Sequence, residues 1–188
     1  MVYDVQFERQ NTLFFNFEEG KCQPEDFDDE PAVITGQITS NDKKIGFIRL
    51  YELDNDNSFY YRCDNASDDC EVIARSICGK RGAVFKKYLP PNSEYESILI
   101  LDQIEIDKEY RNLGIGSEIV KNLLYMINYQ FGYGCTIFLC ASDYESAKKC
   151  GFDSEEYISG RNRLISFYKK AGFRIIKDNV MVYTKTEK

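Results

Sequence analysis

The chain has 188 residues, 43% of them hydrophobic and 29% charged, with a formal net charge of -7. That length fits one compact domain, since domains mostly run to about 100–200 residues, and the composition excludes wholesale disorder. The negative balance argues against a nucleic-acid partner, which selects a basic stripe to neutralise phosphates. Histidine is absent, so a Ser-His-Asp triad, a Cys-His dyad and a histidine-ligated metal are all excluded.

Cys22, Cys63, Cys70, Cys78, Cys135, Cys140 and Cys150 make an odd number with no Cys-x-x-Cys pair. Without histidine to complete a ligand set, no metal site is expected, and the thiols read as reduced. Residues 1–20 carry acidic and polar side chains throughout, unlike a signal or transit peptide. No apolar run approaches the ~20 residues that a membrane helix needs. The expectation is a soluble, cytoplasmic protein with no membrane partner.

From Glu18 to Glu30, seven acidic residues face one lysine, Lys21. A solvated loop and a docking site for a basic partner both fit that bias, and residues 1–31 gain no clear element. Residues 32–39 and 45–51 are rich in β-branched side chains around the polar turn 40–44, which predicts a β-hairpin. A helix is expected over 68–78, with Ser67 as its N-cap and acids in its first turn. Residues 86–97, containing Pro90-Pro91, form a connector. Residues 98–106 begin as a continuous apolar run and end in alternation, the pattern of a central strand whose far end opens at the sheet surface.

After the turn 107–117, Val120, Leu123, Leu124, Ile127 and Phe131 fall on one helical stripe. Tyr125, Tyr129 and Tyr133 lie around that helix and its end, where partial burial is expected. Residues 136–140 read as a short apolar strand, so strand, turn, helix and strand make a βαβ-like unit with parallel neighbours. The polar stretch 142–160 gives no clear element. A helix over 162–171 ending at Gly172 and strands over 173–177 and 180–185 close the chain. The fold class is α/β, one domain over 1–188 with a mixed central sheet flanked by helices.

Arg111-Asn112-Leu113-Gly114-Ile115-Gly116-Ser117 sits where a strand gives way to a helix. The first helical N–H groups lack intrahelical partners there, the helix dipole adds partial positive charge, and glycine admits close approach of a ligand. Phosphate or pyrophosphate suits such a turn. A dinucleotide fingerprint would need glycine where Ile119 stands, and a P-loop would need lysine after Gly116. Taken alone, the turn also fits glycines used only for packing.

Arg111-x-x-Gly114-x-Gly116, with its strand and the lead-in Asp107-Lys108-Glu109-Tyr110, resembles the acyl-CoA pyrophosphate signature of the GNAT N-acetyltransferase superfamily. Ile165-Ser166-Phe167-Tyr168-Lys169-Lys170-Ala171-Gly172-Phe173 is similar to that superfamily's second signature, in the right order downstream. The resemblance covers about 98–185. It implies a single GNAT-like domain that uses acetyl-CoA as co-substrate, without metal, to acetylate a primary amine by direct attack. The implied acceptor is a small-molecule amine or an amine on a basic protein or peptide, and a homodimer is compatible with it. It further implies that the backbone of Ile104, Glu105 and Ile106 pairs with the pantetheine arm. The turn Arg111, Asn112, Leu113, Gly114, Ile115, Gly116 and Ser117 would hold the pyrophosphate, and Tyr168 would protonate the leaving thiolate. The family often places a pantetheine-contacting asparagine seven residues before that tyrosine; here Arg161 stands there and Asn162 follows. About a dozen residues near 144–159 form an insertion, and the helices usual between the family's first two strands are not evident in 1–31.

Acyl transfer to an amine needs the reactants held together, a proton removed from the amine and the thiolate stabilised. Tyr168, with a phenol pKa near ~10, is protonated at neutral pH and can donate. Without histidine the base must be a carboxylate or a water chain. Asp102 and Glu105 alternate to opposite faces of the central strand, so one at most faces the cleft; Glu105, nearer the open end, is the choice, with Asp143 as second candidate. Cys140 ends the strand expected to splay from the central one, and no histidine could activate it, so it reads as a small buried side chain. The alternative to an enzyme is a catalytically silent GNAT-fold protein serving as an acyl-CoA-binding or protein-interaction module.

Overall fold

The computed structural model describes residues 3–10, 30–90, 97–131 and 136–184. The acidic run before Glu30, Cys22, Tyr133 and Cys135 lie outside the described residues. In chain order come strands β1 (Asp4–Gln10), β2 (Ala32–Ser40) and β3 (Lys43–Leu53), then helices α1 (Phe59–Ala66) and α2 (Asp68–Ile77). Strand β4 (Ile98–Ile106), helix α3 (Ile115–Phe131) and strand β5 (Thr136–Cys140) follow. The chain continues through α4 (Tyr144–Cys150), α5 (Glu155–Lys170), β6 (Arg174–Lys177) and β7 (Val180–Thr184). The strands form one sheet in the order β1-β2-β3-β4-β5-β7-β6, and only β4 and β5 run parallel. The expected α/β class with a mixed, helix-flanked sheet is what the chain adopts.

Local chemistry sets these elements. Asn41 and Asp42 both take positive φ at the tip of the β2–β3 hairpin, as a tight hairpin turn requires. Ser67 caps α2 by accepting the Cys70 N–H at 3.3 Å, with Asp68, Asp69 and Glu71 in the first turn. Both faces of the sheet are covered. On one, Leu99, Leu101, Ile137 and Leu139 pack with Ile119, Leu123 and Ile127 of α3. On the other, Ile98, Ile100 and Phe138 pack with Phe59 of α1 and Ile73 and Ile77 of α2. Two covered faces explain why β4 starts as an unbroken apolar run.

Two irregularities in β4 shape the candidate site. First, Leu50 of β3 pairs with Leu101 and Arg49 with Gln103, which leaves Asp102 as the extra residue of a β-bulge. The bulge shifts the alternation: Leu99 and Leu101 lie on the α3 face, and beyond it so do Ile104 and Ile106. Asp102 and Gln103 both reach Arg49, and Glu105 follows Gln103 by period two onto the α1–α2 side. The expectation that Asp102 and Glu105 occupy opposite faces is therefore corrected. Second, β4 pairs with β5 only from Ile98 to Ile100, against Thr136 to Phe138. Beyond that, β5 stays with β7 and β4 stays with β3, so the two parallel strands part, and among the described residues the β5-side edge of residues 101–106 has no ladder partner. The expected splay is present.

Other expectations shift. The last helix begins at Glu155, seven residues before the expected Asn162, because Ser154 caps it by accepting the Tyr157 N–H at 3.2 Å. The stretch without a clear element holds α4, capped by Asp143 and ended by Gly151 at φ 87. Tyr125 and Tyr129 are exposed and stacked on each other at 6.3 Å rather than partly buried. Helices α1 and α2 stand between β3 and β4. Among the described residues, no helix is long and apolar enough to cross a membrane.

Candidate active site

The turn from β4 into α3 offers backbone donors over open space. Asn112 and Gly114 take φ 63 and 83, and the first intrahelical bond is the Glu118 N–H donating to the Gly114 carbonyl at 3.0 Å. The amides of Ile115, Gly116 and Ser117 precede that bond and have no partner within the helix. A Cβ added to Gly114 would meet nothing within 4 Å, and one added to Gly116 would come no nearer than 3.8 Å, to Phe167. Arg111 is exposed, and its Nε donates to the Ile106 carbonyl at 2.7 Å, folding it over the end of β4. A cavity of about 730 Å³ adjoins this helix end, lined by Ser117, Asn162, Arg163, Ser166, Phe167 and Lys170. The structure thus brings Ser117, the last residue of the turn, and Asn162 to one cavity. Half-buried Arg161, seven positions before Tyr168 in α5, stacks its guanidinium over Tyr157 at 5.7 Å instead.

Tyr168 lies on α5 with 9% of its surface exposed. Its ring meets Phe167 and Phe173 edge-on at 5.0 and 5.7 Å. Burial pushes its phenol pKa up, and the Asp69 charge adds to the shift. The group is a proton donor throughout the neutral range.

A polar cluster that the sequence did not assemble gathers at the free ends of the splayed strands. On the α1–α2 side, Arg49 Nε donates to Asp102 Oδ2 at 2.6 Å and Arg49 Nη2 to Gln103 Oε1 at 3.2 Å. Ser67 Oγ donates to Asp102 Oδ1 at 3.5 Å. The Tyr144 hydroxyl, from α4, donates to Asp69 Oδ1 at 2.8 Å. Burial raises the Asp69 pKa, while hydrogen bonds from Tyr144 and Cys140 oppose the rise. Asn179 Nδ2 donates to Cys140 Sγ at 3.2 Å, and burial pushes the Cys140 thiol up to about 12. Cys140 is thus a protonated thiol at neutral pH and no nucleophile.

Glu105 is exposed on β4. Asp143 is engaged elsewhere: its two carboxylate oxygens accept from the Ser146 N–H at 3.1 Å and the Ser146 hydroxyl at 2.9 Å. A Cβ on Gly160 would sit 1.9 Å from one of those oxygens, so α5 packs directly against this cap. Asp69 and Tyr144, separated by 75 residues, are the groups that sequence reasoning missed; no spacing signals a pair so distant.

No protein-family model and no curated protein matches the chain. Solved structures are similar at low identity. The KacTA–DNA complex shares 12% identity over 96% of this chain and 93% of its own, with a TM-score of 0.45. Arabidopsis thaliana NAA60 in complex with acetyl-CoA shares 11% over 97% and 100%, with a TM-score of 0.45. AtaT complexed with acetyl-methionyl-tRNAfMet shares 13% over 81% and 71%, with a TM-score of 0.43. The mixed sheet, the parted central strands and the glycine turn follow one another in the order that the two sequence motifs imply.

Proposed function

We propose that the protein is an acetyl-CoA-dependent N-acetyltransferase acting on a primary amine, carried by a small molecule or by a basic protein or peptide. The observation that carries this reading is the parting of β4 from β5 beyond Ile100 beside the open glycine turn at the start of α3. A V-shaped gap with an unpaired strand edge accepts an extended amide-bearing arm, and the adjoining helix N-terminus accepts its anionic end. Open space over Gly114 supports a pyrophosphate at backbone distance.

In this reading Ile104, Glu105 and Ile106 bind the pantetheine through the main chain. The turn Arg111, Asn112, Leu113, Gly114, Ile115, Gly116 and Ser117 holds the pyrophosphate, and Asn162 lines the same cavity. The amine nitrogen attacks the thioester carbonyl carbon, the C–S bond breaks, and Tyr168 gives its phenol proton to sulfur. Glu105 takes a proton from nitrogen toward solvent. Holding the two substrates in contact supplies much of the acceleration, and general acid catalysis contributes a further ~10²–10⁴-fold.

Calorimetric titration with acetyl-CoA, followed by chromatographic detection of free CoA in the presence of primary amines, tests the reading. Binding and amine-dependent CoA release are expected. Binding without transfer to any amine would leave a silent acyl-CoA-binding module; no binding would defeat both.

A further inference from the structure

We propose that Asp69 receives the acceptor's ammonium group and removes its proton, with Tyr144 as a positioning residue that holds the carboxylate from α4. This rests on the acyl-transfer reading and names the acceptor side of that site. Asp69 stands on the first turn of α2, where Ser67 fixes the helix start. The Tyr144 hydroxyl fixes Oδ1 at 2.8 Å. Cys140 is the last residue of β5, where that strand has already left β4. Tyr168, on α5, belongs to the core cluster that includes Leu139 and Ala141, the neighbours of Cys140; it is nine-tenths buried, with no hydrogen bond from its hydroxyl to any described residue, and burial and the Asp69 charge raise its pKa. A carboxylate and an unpartnered phenol, held by different helices across one gap, are the two proton sites that aminolysis of a thioester needs.

The charged and titratable groups around Asp69 bear on its basicity; beside those below, Cys70 on α2 and Tyr168 on α5 feel its charge. Asp68 on α2 and Asp102 on β4 raise its pKa, as burial does. Arg49 on β3 is turned to Asp102. Tyr144 on α4 donates to Asp69, and it and the Cys140 thiol on β5 lower its pKa. An elevated carboxyl pKa makes a stronger base, and a half-buried carboxylate is the natural counter-ion for an ammonium.

The protons balance. R–NH₃⁺ gives one proton to Asp69 and becomes R–NH₂, whose lone pair forms the bond to the thioester carbon as the C–S bond breaks. Sulfur takes the Tyr168 proton. The second nitrogen proton leaves through Glu105 and solvent and restores the phenol, and Asp69 discharges to solvent. The sum is amide, free thiol and one released proton.

The test uses the full chain, acetyl-CoA and n-butylamine as the probe acceptor. Asp69→Asn should lower kcat/KM for butylamine at pH 7 by ~10²–10⁴-fold, the range for a general base, and leave acetyl-CoA affinity unchanged. Tyr144→Phe removes a donor to the carboxylate, so it should move the acidic limb of the pH–rate profile upward. Asp64→Asn, exposed on α1, should leave the rate unchanged. Independently of turnover, the ¹³C shift of the Asp69 carboxyl should respond to butylammonium in the CoA-saturated protein. No response, or an Asp69→Asn protein with wild-type rate and pH profile, overturns the proposal. A response without any transfer overturns the acyl-transfer reading and leaves Asp69 as an ammonium site.

Discussion

Asp102 and Gln103 are neighbours in the chain and yet both hold the guanidinium of Arg49, at 2.6 and 3.2 Å. In a regular strand they would point to opposite faces; the bulge turns both to the α1–α2 side, just where β4 leaves β5. The Arg49–Asp102 pair therefore pins the bulge and, through it, the direction of residues 103–106. Asp102→Ala should destabilise the fold by ~1–2 kcal/mol, the lower part of the range for a charged hydrogen bond, since the Arg49 side chain is 41% exposed. Urea unfolding measures this. An unchanged midpoint would show that the bulge stands without the pair.

Gly114 and Gly151 make a matched pair for testing the anion turn. Both take positive φ, 83 and 87, and a Cβ at either meets nothing within 4 Å. Valine at either position should carry a similar backbone cost of ~1–2 kcal/mol for a left-handed non-glycine residue. Only Gly114→Val should also abolish the rise in Tm given by acetyl-CoA, because its side chain enters the space over the helix N-terminus. Equal ligand shifts in the two variants would remove the turn from the binding site.

Tyr168→Phe tests the proton donor. The ring packs against Phe167 and Phe173, and phenylalanine keeps that packing, so the variant should fold. Its kcat should fall by ~10²–10⁴-fold with acetyl-CoA affinity unchanged. Because burial raises the phenol pKa, the wild-type rate should hold beyond the ordinary tyrosine range of ~10 before the donor is lost. Wild-type turnover in the variant would mean that the thiolate leaves unaided.

The fold was legible where local pattern decides it. The hairpin 32–51, the capped α2, the apolar β4 and the striped α3 all follow from residues close in sequence. The turn into α3 and the helical setting of Tyr168 follow from the paired motifs, whereas their roles are set by a ligand that the elements alone do not define. The bulge was not, because nothing in Leu101-Asp102-Gln103 marks the extra residue; it is set by what Arg49 offers from across the ladder. The start of α5 was missed although Ser154 and Glu155-Glu156 are a cap and an acidic first turn. Asp69 meets Tyr144 only because α2 and α4 converge beside the end of β5, which is a tertiary fact.

Buried and half-buried sulfhydryl and phenol groups make alkaline stability a test of the core. Burial pushes the thiols of Cys70, Cys78 and Cys140 up to about 12 and raises the Tyr168 phenol. In each case the folded state binds the proton more tightly than the unfolded state. Their contribution is complete below the ordinary thiol pKa of ~8.5 and is lost as pH rises from there toward the folded values. The urea midpoint should fall steadily between pH 8 and pH 10, and less steeply in Cys70→Ala. A flat profile would show that these groups ionise as easily in the folded protein as in the unfolded chain.

The two ends of the gap differ in charge, and this should set how salt acts on each substrate. At the α1–α2 end stand Asp68, Asp69, Asp102 and Glu105, with Arg49 paired to Asp102. At the α3–α5 end stand Arg111, Arg163 and Lys170, all exposed. A net charge of -7 adds a background field that draws cations. Exposed charges are screened over ~10 Å at 0.1 M salt, so steering weakens as ionic strength rises. Between low and moderate salt, kcat/KM should fall more for spermidine, with several positive charges, than for n-butylamine with one. Glu105→Gln should flatten the spermidine dependence, because it removes an exposed charge at the mouth of the gap. Affinity for acetyl-CoA, an anion at the opposite end, should also weaken with salt, but equally in wild type and Glu105→Gln. Identical salt slopes for the two amines would show that acceptor entry is governed by shape rather than by the field.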